Sequence, residues 1–280
     1  MEYKTLGNTG ERIPCVGMGT WELQHTEKSL TALKAGLAMG DRFIDTAELY
    51  GTEDIVGKAI AGEDGVFVAS KVWVSHFRHD DVIRACTGSL KKLGLKQIDL
   101  YQLHWPSRDV PIKDTMSAME ALLKQGKIRH IGVSNFSVAQ LREARDALKG
   151  ADVVSNQVEY GILMREPEHD GMLEYCAKER ITVIAYSPLS HGALFGPGCK
   201  ELMQTLESVG HGYGKTGAQV ALSWLVSHDQ VVPIPKASSA EHVKANIAAA
   251  ELKLSKKDIG LLDRESLRFA RPSLASSRNW

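Results

Sequence analysis

Eight short β-branched runs recur along this chain, and each is followed by an amphipathic stretch of helical period. The runs fall at 16–19, 42–45, 66–70, 98–103, 130–134, 153–157, 182–186 and 231–234. Helical patterns fill the gaps at 27–39, 53–61, 80–93, 114–125, 137–148, 167–179, 216–228 and 240–250. The clearest is 80–93, where Val82, Ile83, Cys86, Leu90 and Leu93 form one stripe and Asp80 or Asp81 offers a start signal. Strand followed by helix, repeated about every 30 residues, is the alternation expected of a parallel sheet. Eight repeats predict an α/β chain folded as a closed (β/α)8 TIM barrel, for which about 250 residues is ordinary. The 280 residues are therefore read as a single barrel domain, 1–280. An N-terminal β-hairpin precedes the first unit, with Tyr3–Leu6 and Arg12-Ile13 around a turn at Gly7–Gly10. Two extra helices are expected at 199–208 and at 255–267, the latter capped by Ser255, with an irregular tail at 268–280.

Composition removes several classes. Lys plus Arg is 34 and Asp plus Glu is 34, so no global basic field exists for a nucleic acid. No run of 18 apolar residues occurs, so no membrane partner is expected. The N-terminus carries no apolar h-region, so a cytoplasmic chain is expected. Cys15, Cys86, Cys176 and Cys199 form no CxxC pair and read as buried thiols. Asn135-Phe136-Ser137 is a glycosylation sequon by chance in a chain without secretion. Gly212-Tyr213-Gly214-Lys215-Thr216-Gly217 matches GxGxxG, but it follows a helical stretch rather than a strand and reads as a helix connection. A Walker A loop would need glycine at Val209. His76 and His79 form the only close histidine pair, and the sequence offers them no convincing carboxylate partner, so no metal site is predicted.

In such a barrel, chemistry sits at the C-terminal ends of the strands. Polar residues cluster there: Asp45 to Tyr50 after the second strand, Lys71 after the third, His104 after the fourth, Ser134-Asn135 after the fifth, Gln157 at the sixth, Tyr186-Ser187 at the seventh and Lys236 at the eighth. Any one of these could cap a loop or fill a core. Strands two, three and four are neighbours, however, so Asp45, Tyr50, Lys71 and His104 can meet in one pocket. A phenol titrates near pH 10, and a nearby ammonium lowers that value. Lys71 would supply the ammonium, Asp45 would orient Lys71, and His104 would bond the substrate oxygen. The product is a general acid aimed at an oxygen that becomes negative. That suits carbonyl reduction with hydride drawn from a cofactor.

These motifs resemble the aldo-keto reductase family. The likeness runs from Leu6-Gly7 to Asn246 through DTAELYG at 45–51, LHWP at 103–106, GKIRHIGVSNF at 126–136, NQVEY at 156–160, AYSPL at 185–189 and PIPK at 233–236. It implies that Asp45, Tyr50, Lys71 and His104 form a catalytic tetrad with Tyr50 as proton donor. It implies an extended nicotinamide cofactor, with Ser134, Asn135 and Gln157 on the carboxamide and Tyr186 stacked on the ring. Ser187 and Leu189 would lie near the pyrophosphate. Lys236 would face the 2′-phosphate, with Ser238, His242 and Asn246 around the adenosine. Lys236 favours NADP(H). His242 stands where the family commonly has arginine, and an imidazole lacks arginine's bidentate phosphate contact, which leaves NAD(H) possible. Trp21, Trp73 and Trp105 would wall the substrate site, and the short loop at 105–113 implies an open one for small aldehydes, ketoaldehydes or sugar carbonyls. The expected activity is NADPH-dependent reduction of such carbonyls to alcohols by a monomer. Oxidation of a sugar or polyol is the alternative direction, and a cofactor-binding regulatory subunit is the alternative role.

Overall fold

The computed structural model describes residues 1–272. Eight parallel strands form the sheet: β3 (Met18–Gly19), β4 (Phe43–Asp45), β5 (Phe67–Val72), β6 (Ile98–Leu103), β7 (Ile128–Ser134), β8 (Val153–Glu159), β9 (Thr182–Tyr186) and β10 (Val231–Pro233). They pair in chain order from β3 to β10. The seam between the first and last is closed by backbone hydrogen bonds, from Gly17 N–H to Pro233 O at 3.0 Å and from Gly19 N–H to Pro235 O at 3.2 Å. Gly19 bears no side chain for a steric reason: a Cβ there would lie 2.5 Å from the Ile234 carbonyl oxygen. The closed (β/α)8 architecture read from the alternation is the one observed.

The outer helices are α1 (Glu27–Ala38), α2 (Glu53–Ile60), α3 (His79–Leu93), α4 (Ile112–Lys124), α5 (Val138–Ala147), α6 (Glu166–His169), α7 (Met172–Glu179), α9 (Gly217–Val226) and α10 (Ala240–Ala249). The two expected extra helices are α8 (Lys200–His211) and α11 (Lys256–Leu267), and Ser255 caps the latter. Capping boxes start α5 at Ser137/Gln140 and α9 at Thr216/Gln219. Three expectations need correction. The first strand is shorter than 16–19: its ladder with β4 covers only Met18 and Gly19. α3 begins at His79 after Arg78, so Asp80 and Asp81 do not cap it; they lie in its first turn, where negative charge suits the helix dipole. The stretch 167–179 is not one helix: Gly171, at φ 81°, breaks it into α6 and α7. Of the tail expected at 268–280, the part from 273 onward lies outside the described residues.

The hairpin is β1 (Tyr3–Thr5) paired antiparallel with β2 (Arg12–Pro14). Its Leu6 and Ile13 join Phe43, Phe67, Leu100, Val154, Ile184 and Val232 in one buried apolar cluster. That cluster fills the barrel at the N-terminal ends of the strands, as layered side chains do in this fold. Gly7 makes the close approach possible: it has φ +51°, and a Cβ there would stand 2.7 Å from Val154 O. Val154 is also the extra residue of a bulge, since Ile131 pairs with Val153 but Gly132 pairs with Ser155. Three residues apart, Val154 and Gln157 would face opposite ways on an unbroken strand. The bulge lets both face the barrel axis. Above the apolar layers, toward the C-terminal ends, the axis turns polar: Asp45, Lys71, Gln102 and Gln157 are all buried there.

Candidate active site

Strand register brings the polar layer together. Asp45 ends β4, Lys71 lies in β5, His104 follows β6, and Tyr50 closes a single 3-10 turn at Glu48–Tyr50. Lys71 is fully buried. Its Nζ donates to Asp45 Oδ1 at 2.6 Å, to Thr46 O at 2.8 Å and to Tyr50 Oη at 3.4 Å. Tyr50 Oη lies 3.3 Å from His104 Nε2. The Tyr50 ring stands edge-on to Trp21 at 4.8 Å and to His104 at 5.3 Å. Trp73 meets His104 at 5.1 Å. The four residues expected to meet therefore do meet.

The electrostatics differ from the expectation in one respect. Burial holds the Tyr50 phenol well above its ordinary value, and the Asp45 charge pushes the same way. The anticipated lowering by Lys71 is outweighed by burial of the phenol and by the Asp45 charge. Tyr50 thus stays a phenol throughout the neutral range. Burial also lowers Lys71, against the opposing charge of Asp45. His104 is pulled down to about 2, by burial first and by Lys71 second, and is a neutral imidazole. The site presents a proton donor, an ammonium behind it and a neutral ring beside it.

These groups open into a cleft of about 800 Å³. Trp21, Leu49, Tyr50, Trp73, His104 and Trp105 line part of it. The same cleft is lined by Ser134, Asn135, Gln157, Tyr186, Ser187 and Leu189, and by Lys236, His242 and Asn246. Ser238 is exposed and is not on this wall. Asn135 Nδ2 donates to His104 O at 3.1 Å, and Tyr186 Oη donates to Asn135 Oδ1 at 3.0 Å. Four of the non-glycine residues at positive φ (Glu22, Asn135, Ser187 and His191) line the cleft. Such backbone strain gathers where surrounding structure holds a site in one shape.

The sequence profile of the Aldo/keto reductase family matches residues 15–266. The chain belongs to the aldo-keto reductase family. It is 36% identical over 273 residues to methylglyoxal reductase YeaE of Escherichia coli (strain K12), covering 94% of this chain and 95% of that one. It is 35% identical to glyoxal reductase of Bacillus subtilis (strain 168), across 91% and 90% of the two chains. An aldo-keto reductase from Klebsiella pneumoniae, solved in complex with NADPH, superposes with a TM-score of 0.87 at 36% identity and 98% coverage of both chains. This aldo-keto reductase is thus an oxidoreductase.

Some lining residues carried no sequence signal. His191 lies 2.8 Å from Ser187 Oγ through Nε2 and faces the buried Glu159. Met203, Glu207 and Thr216 reach the cleft from α8 and the start of α9. The GxGxxG string proves to be the α8–α9 connection, as its position after a helix implied, yet its Thr216 touches the cleft. All four cysteines are buried and free. His76 contacts Glu48 and His79 contacts Asp80. Among the described residues no three His, Cys, Asp or Glu side chains gather to hold a metal, and no helix is long and apolar enough to cross a membrane.

Proposed function

We propose that this aldo-keto reductase reduces small aldehydes and ketoaldehydes to alcohols with NADPH, with Tyr50 as the proton donor. The observation that carries the reading is the continuous set Asp45–Lys71–Tyr50–His104 in a cleft that Lys236 also lines. The donor set fits a nicotinamide dinucleotide. Ser134, Asn135 and Gln157 offer amides and a hydroxyl in the cleft, Tyr186 offers an aromatic face, and Lys236 offers a cation for a 2′-phosphate. When bound, the cofactor supplies hydride. The protein's own groups do the rest. His104 and Tyr50 orient the carbonyl oxygen. Tyr50 Oη gives that oxygen a proton while the carbonyl carbon gains hydride. Lys71, at 3.4 Å, then faces the phenolate that remains.

The phenol held protonated at neutral pH favours the reductive direction, since oxidation of a sugar or polyol needs the phenolate. The connected tetrad favours turnover over a purely regulatory role. Aromatic walls at the reactive end and the short loop before α4 support a site for small carbonyls. The test is initial rates on a panel of methylglyoxal, glyoxal, simple aldehydes and sugar aldehydes with NADPH and with NADH. Turnover of the small carbonyls, faster with NADPH, is expected. Activity confined to a large hydrophobic ketone, or none at all, would overturn the reading. Lys236→Ala should weaken NADPH binding and leave NADH binding nearly unchanged, and equal Kd values before and after would remove Lys236 from the cofactor site.

A further inference from the structure

Asp45 is held by more than Lys71. Its Oδ1 takes the Lys71 ammonium at 2.6 Å, while its Oδ2 takes two side-chain amides, Gln157 Nε2 at 2.7 Å and Gln102 Nε2 at 3.3 Å. Gln102 is fully buried in β6, in register with Lys71 on one side and Gly132 on the other. It is absent from the cleft wall, so it touches neither substrate nor cofactor.

The orientation of the Gln102 amide is not a free choice. Only its NH2 end can face a carboxylate oxygen. Facing that way leaves its Oε1 buried without a hydrogen-bond partner, and the nearby Ser155 Oγ is also without one. Both crowd the position a Cβ on Gly132 would take, Ser155 Oγ at 2.5 Å and Gln102 Cγ at 2.9 Å. An unpaired buried oxygen costs free energy. A leucine or methionine would fill the same space without that cost. The amide therefore has a use that volume alone does not explain, and its one polar contact is Asp45.

We propose that Gln102 is a positioning residue for proton transfer, acting through Asp45. This rests on the reading of Tyr50 as proton donor. Two amides on Oδ2 draw carboxylate charge away from Oδ1. The grip of Asp45 on Lys71 is loosened, and more of the ammonium field falls on Tyr50. Without Gln102, Oδ1 holds Lys71 harder and the phenolate formed in the transfer is less stabilised.

The test is a double-mutant cycle on the single-turnover rate of carbonyl reduction, which separates chemistry from product release. Gln102→Met should lower that rate by on the order of tenfold, the size of a lost bond to a charged group. KM for the carbonyl and Kd for NADPH should change less than about twofold, since the mutated side chain lies off the cleft. In an Asp45→Asn background the same substitution should change the rate by less than about twofold. An equal loss in both backgrounds, or no loss in either, overturns the proposal. A second measurement needs no turnover and no variant of Gln102. In the 15N-labelled wild-type protein, the Gln102 side-chain amide protons should resist solvent exchange and shift on Asp45→Asn. An amide that exchanges like an exposed glutamine overturns the clamp. If the wild-type chain reduces no carbonyl while the amide stays protected, it is the functional reading that fails.

Discussion

At the scale of single residues, protonation states set the chemistry. Tyr50 is held above its ordinary value by burial, and His104 is held down to about 2. In the reductive direction the donor must be protonated, so activity persists below the phenol's folded value and is lost only above it. Neither Tyr50 nor His104 titrates between about pH 5 and 9, so kcat for reduction should be flat across that window except for a fall at its alkaline end if Lys71, lowered by burial, loses its charge there. In the oxidative direction the phenolate is needed, so kcat should rise with pH through the same window. An acidic limb near pH 7, where Lys71 is already charged, would mean that another group donates the proton. That the four residues meet was legible in the sequence because Asp, Tyr, Lys and His lie at the ends of neighbouring strands. The direction of the Tyr50 shift was not, because it depends on how much water the Trp21, His104 and Lys71 neighbours exclude. Gln102 was silent for a different reason: a glutamine inside a strand carries no sign of which partner its amide meets.

At the scale of elements, the N-terminal hairpin does more than precede the barrel. Lys4 reaches from β1 to the α9–β10 segment, donating to Val226 O at 2.6 Å, His228 O at 2.7 Å and Val231 O at 2.7 Å. The contact ties the first strand of the chain to the turn before the last strand of the barrel. Lys4→Met would leave those carbonyls without their shared donor. A loss of about 2 kcal/mol is expected, the order of a few charge-assisted bonds less solvent compensation, seen as a fall in Tm of about 5 °C. An unchanged Tm would show that water satisfies the carbonyls as well as the ammonium does. The βα alternation, the hairpin and both extra helices were legible, because period and caps are local properties. The break at Gly171 and the bulge at Val154 were not. A lone glycine in a helical pattern is often tolerated, and a bulge follows from pairing with β7, which no single strand reveals.

At the scale of the whole molecule, equal numbers of acidic and basic residues leave no overall field to draw in a charged ligand. Attraction for phosphate must then be local, and Lys236 and His242 on the cleft wall are where it can act. Exposed large apolar side chains are few among the described residues, and three of them, Trp21, Leu49 and Phe195, line the cleft. The remaining pair, Tyr3 and Leu267, lie outside it. One cleft holds both a tyrosine over a buried ion pair and an exposed lysine. The most direct test of that account is Tyr50→Phe, with single-turnover reduction of methylglyoxal and NADPH affinity measured on the same preparation. The account predicts a rate lower by at least about 10²-fold with a Kd for NADPH changed less than twofold. A variant that reduces methylglyoxal at the wild-type rate would contradict it.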